Sequence, residues 1–175
     1  MRPLSLPDLL AEHAAAQAYS LALVDDLTAD ELAWRPHEHS SPIAWHLGHQ
    51  AAVNHYLVRN LTAAEPSFDA DLDAVFDSAT PEPARGGLPP LAEIVAYRDA
   101  IAGSTREVIT RIGDAQVGAP AQLARIADRL MRAVIDHEYQ HAKWVEEVRA
   151  TMRDDPAPGP ASTQLVAVEG YWMLG

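Results

Sequence analysis

Apolar residues recur at helical spacing in four long segments of the chain. The clearest segment runs from Leu123 to Arg149 and carries charged residues on its opposite face. The others run from Leu4 to Leu27, from about Ser41 to Leu61, and from Leu91 to Ile112. This pattern predicts an all-α fold in which four helices pack as an antiparallel-type bundle.

Short polar signals predict where the helices begin and end. Ser40 or Ser41 is placed to cap the second helix. Thr28, followed three residues later by Glu31, has the form of a capping box and predicts a short helical turn between the first two long helices. Gly113 is expected to end the third helix.

The second predicted helix is apolar over most of its circumference, which is typical of a helix buried on more than one side. Only Gln50, Asn54 and Arg59 are expected to face water. His46 lies near the centre of one apolar stripe, while His49 borders a second apolar side. Periodicity alone does not choose between these two histidines as the inward one.

Two stretches lack the helical pattern. Residues 62–90 form a long connection rich in Pro, Asp and Gly, in which Phe68 and Phe76 are expected to pack parts of the loop against the body. A Pro-rich segment follows the fourth helix, and the residues after it are apolar enough to dock on their own bundle or on a neighbouring subunit. We therefore divide the chain into a helical bundle, residues 1–153, and a linker with a docked tail, residues 154–175.

Composition narrows the classes of function. A length of 175 residues suits one domain, and a net charge of −12 argues against a nucleic-acid partner and against anionic membrane surfaces. The chain has no cysteine, so any metal site must use His, Asp or Glu. With no signal-peptide pattern and no apolar run of the ~20 residues that span a bilayer, we expect a cytoplasmic protein.

Two histidines stand within the apolar stripe of the fourth predicted helix. His137 and His141 are four residues apart, which brings their Cβ atoms within roughly 5–6 Å. Burying them without partners would cost on the order of 1–3 kcal/mol per unpaired group, and a metal ion would satisfy both. His13 lies on the apolar face of the first helix, where a lone histidine is more often a hydrogen-bonded core residue than a ligand.

Residues 137–141 read HEYQH and match the HExxH pattern of zinc proteases, in which the glutamate is the general base. No Glu or His follows at the usual downstream helical spacing, and no strand precedes the helix, so we do not favour a protease. Glu138 stays open between three roles: a general base, a residue that orients a ligand histidine, and an exposed residue at the edge of the stripe.

Two segments resemble the DinB/YfiT-like superfamily. They are SPIAWHLGH at residues 41–49 and HEYQHA at residues 137–142, and the run LTxxELxWRP precedes the first of them. The order of elements is similar over roughly residues 4–152, with the closest similarity to the helical domain at the N-terminus of ergothioneine-pathway sulfoxide synthases. The resemblance implies a four-helix bundle that holds one divalent metal ion through three histidines.

Carried over by position, the resemblance places the metal ligands at His49, His137 and His141, with His46 as an alternative to His49. Three histidine ligands leave an open coordination position for water or substrate. Lys143 stands where the sulfoxide synthases often carry a glutamate, and the chain has no room for their second domain. A standalone sulfoxide synthase is therefore not expected.

The resemblance implies a metal-dependent enzyme that acts on a small molecule, either a hydrolase or a thiol S-transferase that uses a low-molecular-weight thiol. Three imidazoles suit Zn, Ni or Fe alike, so the metal is not identified. The alternative is a non-catalytic metal-binding domain, or a structural domain that forms a homodimer through a helix face and the apolar tail.

Overall fold

Helices dominate the computed structural model, which describes residues 3–154 and 157–175. Within those ranges the regular elements are six α-helices, one turn of 3-10 helix at Glu82–Ala84, and a two-stranded sheet. They are α1 (Leu6–Ala22), α2 (Ala29–Ala33), α3 (Ile43–Val58), α4 (Ala70–Val75), α5 (Leu91–Gly113), α6 (Pro120–Arg153), β1 (Leu165–Val168) and β2 (Tyr171–Leu174). Among the described residues, none of the helices combines the length and the apolar character that a membrane-spanning segment needs.

Local capping explains where the first helices start. Ser5 and Asp8 form a capping box at the start of α1, and Thr28 and Glu31 form the predicted box at the start of α2. The helix α1 is shorter than predicted at both ends and stops at Ala22. The apolar residues just after it are buried in the core as part of the connection to α2.

The predicted serine cap at the start of α3 is wrong. Pro42 occupies the N-cap position and no side chain caps the helix. The hydroxyl of Ser41 instead accepts a hydrogen bond from Arg85 Nη1 over 2.7 Å. A capping motif shows which residues suit a helix start, but a distant arginine competes for the same oxygen.

The burial of α3 is more complete than predicted. Every residue from 41 to 51 is buried. Gln50 and Asn54, which were expected to face water, are each 1 % exposed. Both make side-chain hydrogen bonds inside the fold, Gln50 to the carbonyl of Glu138 on α6 and Asn54 to His13 on α1. These two polar residues are thus bonded to other helices instead of to water.

The four longer helices pack around one another. The helix α3 contacts both α5 and α6, while α1 lies against α6 and α5. The first half of α6 packs in one core cluster with the end of α5, and its second half packs in another cluster with α3. The residues singled out by sequence in α3 and α6 therefore face each other across a helix contact.

The connection between α3 and α5 folds back on the body, as predicted. Phe76 is fully buried, whereas Phe68 is 54 % exposed. Arg35 donates to the backbone carbonyls of Glu82 and Arg85, and Arg85 donates to the carbonyls of Ser78 and Thr80. These two guanidinium groups hold the second half of the connection against the start of α3.

The tail corrects the strictly all-α prediction. The strands β1 and β2 pair antiparallel through a two-residue turn at Glu169 and Gly170, both of which have positive φ angles of 50° and 88°. Such a turn matches the twist of a tight hairpin. The hairpin packs on α6, where Leu174 N donates to Asp136 Oδ1 over 2.8 Å. Two residues of the predicted Pro-rich linker, Asp155 and Pro156, lie outside the described residues.

Candidate metal centre

Three of the chain's histidines come together between α3 and α6. His49, His137 and His141 each offer one ring nitrogen, and these nitrogens lie within 4.8 Å of one another. The ring centroids of His137 and His141 are 4.4 Å apart, and those of His49 and His141 are 4.8 Å apart. The predicted four-residue spacing on α6 and the closing histidine of WHLGH on α3 thus converge on one point.

Burial keeps these imidazoles uncharged. It lowers the pKa of His137 to about 4 and also lowers the pKa values of His49 and His141. The neighbouring imidazoles lower the pKa values of His137 and His141 further, because positive charges on adjacent rings would repel each other. At neutral pH each ring therefore has a free lone pair, which is the form that binds a metal ion.

The connection between α3 and α5 supplies a hydrogen-bond partner of His49. The Nδ1–H of His49 donates to the carbonyl oxygen of Phe76 over 2.8 Å, which leaves Nε2 as the acceptor nitrogen. The Phe76 ring lies against Gly48, where an added Cβ would sit 2.2 Å from a ring carbon. Metal-bound histidines commonly donate their second nitrogen to a carbonyl, which fixes the tautomer and the ring orientation.

A comparison with protein-family models identifies the superfamily of the chain. The model of the DinB superfamily matches residues 12–145, which is more than half of the 175-residue chain. The chain belongs to the DinB superfamily. A search among curated proteins finds no match for this DinB chain.

The donor set of this DinB protein fits a divalent metal ion. Three neutral imidazoles with convergent nitrogens suit Zn, Ni or Fe and leave room for a further ligand. His13 is not part of the group, because its Nε2 accepts from Asn54 Nδ2 over 3.2 Å in a separate hydrogen-bond network. His46 also lies outside the group of three and contacts it through His141.

Glu138 lies at the centre of a buried polar cluster in the DinB fold. Glu138 is 2 % exposed, so the exposed interpretation is wrong. Its Oε1 accepts from Arg98 Nη2 over 2.6 Å and from Ser20 Oγ over 2.7 Å. A general-base role for Glu138 stays a prediction, and these contacts give the carboxylate a role in joining α1, α5 and α6.

Arg98 lies near this site and was not predicted from the sequence to belong to it. Its Nη1 donates to the carbonyl of Leu47 over 2.6 Å and to Gln50 Oε1 over 3.0 Å, while its Nη2 reaches Glu138. It therefore links the two helices that carry the histidines, from a helix that carries none. A signal was present, because Arg98 stands four residues after Ile94 on the apolar stripe of α5.

A pocket of ≈ 670 Å³ adjoins the three-histidine group of the DinB chain. Its wall includes His46, His49 and His141 together with Trp45 and Trp144. The Trp45 ring stacks on His49 with centroids 4.4 Å apart, and the guanidinium carbon of Arg85 lies 3.8 Å from the centroid of Trp45. His37 and His39 are exposed and line the same pocket.

Acid is expected to destabilise the metal-free DinB fold through His13. Burial lowers the pKa of His13 from 6.5 to about 4; Arg98 and Arg106 lower it further, and Glu138 opposes them. Below pH 6.5 the unfolded chain takes up a proton that the folded chain refuses, so stability falls as pH drops from 6.5 towards 4. Between pH 7 and pH 5 this one group accounts for about 2 kcal/mol.

Urea unfolding at both pH values, with a chelator present, measures this effect. The His13→Gln variant is expected to lose about 2 kcal/mol less than the wild type between pH 7 and pH 5. An equal loss in both proteins would mean that His13 does not contribute. Other buried histidines with lowered pKa values add to the slope in both proteins and cancel in the comparison.

Proposed function

We propose that this DinB protein binds one divalent metal ion through His49, His137 and His141 and is a metal-dependent enzyme that acts on a small molecule. The observation that carries the proposal is the convergence of three neutral ring nitrogens beside a pocket of ≈ 670 Å³. A purely structural metal site has four protein ligands and no adjoining pocket, whereas three ligands leave a coordination position for substrate or water.

The ion, when bound, would supply Lewis acidity that activates a water molecule or a thiolate at neutral pH. The chain's own residues orient the ligands and form the pocket. Phe76 orients His49 through its carbonyl oxygen. Trp45 and Trp144 provide the apolar walls of the pocket, which is large enough for a small-molecule substrate.

The proposed reaction class is hydrolysis or transfer of a low-molecular-weight thiol to an electrophile. Both reactions use the same open coordination position. Glu147, Glu82 and His39 line the pocket and supply the proton acceptors that either reaction needs. The proposal does not depend on Glu138 as a general base. We also propose that α1, α3, α5 and α6 form the family's four-helix bundle, closest to the N-terminal domain of ergothioneine-pathway sulfoxide synthases.

Metal analysis of protein purified without a nickel column tests the metal part of this proposal. We expect about one divalent ion per chain in the wild type, removal by a chelator, and little metal in His49→Ala. The metal-loaded and chelated proteins are then screened with thiol–electrophile pairs and with ester and amide substrates. Turnover that needs the metal supports an enzyme, and metal binding without any turnover favours the alternative below.

The alternative is a non-catalytic domain that binds metal or forms a homodimer. One observation favours it: the outward side chains of Val166, Val168 and Met173 on the hairpin are exposed, at 43 %, 44 % and 36 %. Light scattering of the purified protein measures the oligomeric state. A dimer that dissociates in a Val166→Lys variant, together with no metal-dependent turnover, would favour this alternative.

A further inference from the structure

His46 lies next to the three-histidine group but is not one of its three proposed metal ligands. It lies three residues before His49 on α3 and is 6 % exposed. Its Nδ1 is 2.8 Å from the Nδ1 of His141. Its ring also contacts Trp45 and Trp144, with centroids 5.7 and 5.8 Å away. The side chain is therefore held from several directions, although it is outside the group of three.

The short distance between the two Nδ1 atoms couples the tautomers of His46 and His141. A neutral imidazole has one N–H and one lone pair, so one of the two rings must donate and the other must accept. If His141 binds a metal ion through Nε2, its proton must be on Nδ1. His141 then donates to His46, and the proton of His46 is consequently on Nε2.

We propose that His46 is a positioning residue that accepts this hydrogen bond and so holds His141 in the tautomer and orientation that bind metal. It does for His141 what the carbonyl of Phe76 does for His49. This inference rests on the metal site of the proposed function. It assigns the first histidine of WHLGH a role distinct from that of the second.

The same hydrogen bond connects the metal site to the pocket. His46 lines the pocket, and its Nε2–H is the remaining polar group of the ring. Substrates with an acceptor atom, such as a carboxylate or a thiolate, suit this donor. The orientation of His141 and the polarity of this pocket wall are therefore set by one side chain.

Zinc titration of three variants tests the inference. His46→Phe keeps a ring of similar size but accepts no hydrogen bond, and we expect zinc affinity to fall about 10- to 100-fold. His46→Asn places Oδ1 where Nδ1 stood and is expected to restore much of the affinity. The matched control is His37→Asn, which alters an exposed histidine of the same pocket and should bind zinc like the wild type.

Nitrogen-15 NMR of the zinc-loaded wild type adds a readout that a merely structural role would not move. We expect the protonated nitrogens to be Nδ1 in His141 and Nε2 in His46. Unchanged zinc affinity in His46→Phe, or a zinc-bound His46 nitrogen, would overturn the inference while leaving a metal site. A wild type that binds no zinc would overturn the proposed function, and this inference with it.

Discussion

Replacing Arg98 with methionine is expected to lower the free energy of unfolding by about 3–5 kcal/mol. Arg98 is 1 % exposed, and its guanidinium group pairs with Glu138, itself 2 % exposed. Without Arg98, the carboxylate of Glu138 keeps only the hydroxyl of Ser20 and remains a buried charge without a cation. The carbonyl of Leu47 and the amide oxygen of Gln50 lose a donor as well.

Urea unfolding of Arg98→Met measures this loss, and two further proteins locate its cause. Arg106→Met removes an exposed arginine from the same helix and should stay within about 0.5 kcal/mol of the wild type. The double variant Arg98→Met/Glu138→Leu removes both buried charges and is expected to recover most of the loss. A single variant as stable as the wild type would contradict the assignment of Arg98 as the link between α3, α5 and α6.

Replacing Gly48 with alanine is expected to weaken the metal site and the fold together. The new Cβ would lie 2.2 Å from ring carbons of Phe76, so the buried ring must move. Overpacking of this kind costs about 1–3 kcal/mol. A shift of Phe76 also moves its carbonyl away from His49 Nδ1, and loss of such an outer partner lowers metal affinity about 10- to 100-fold.

The matched control for Gly48 is Gly103→Ala on α5. A Cβ at Gly103 meets no atom within 4 Å, so this change should stabilise the helix by about 0.5–1 kcal/mol and leave zinc affinity unchanged. Thermal unfolding and zinc titration of both variants give the comparison. Equal zinc affinity in Gly48→Ala and the wild type would show that the Phe76 carbonyl does not orient His49.

Local sequence signals predicted the parts of the fold that depend on nearby residues. The capping box of Thr28 and Glu31 starts α2 as predicted, and α5 covers Leu91–Gly113 almost as the apolar period indicated. The pairing of His137 with His141 is also local, because four residues make one helical turn. The choice of His49 instead of His46 came from the resemblance, since periodicity left both open.

Features that depend on distant partners were not predictable in the same way. Gln50 and Asn54 look like exposed residues until Glu138 and His13 supply buried partners from other helices. Ser41 is a residue type that suits a helix cap, but in the structure its hydroxyl accepts a hydrogen bond from Arg85. The hairpin was missed because each strand has only four residues, too few for an alternating pattern to be distinguished from an apolar tail.

The convergence of three histidines on one metal ion is tested most directly by anomalous diffraction from crystals of the zinc-loaded protein. We predict a single strong peak per chain, about 2.0–2.1 Å from one ring nitrogen each of His49, His137 and His141, with His46 bonded to His141 and not to zinc. A peak elsewhere, or no peak after soaking in zinc at neutral pH, would contradict the metal site.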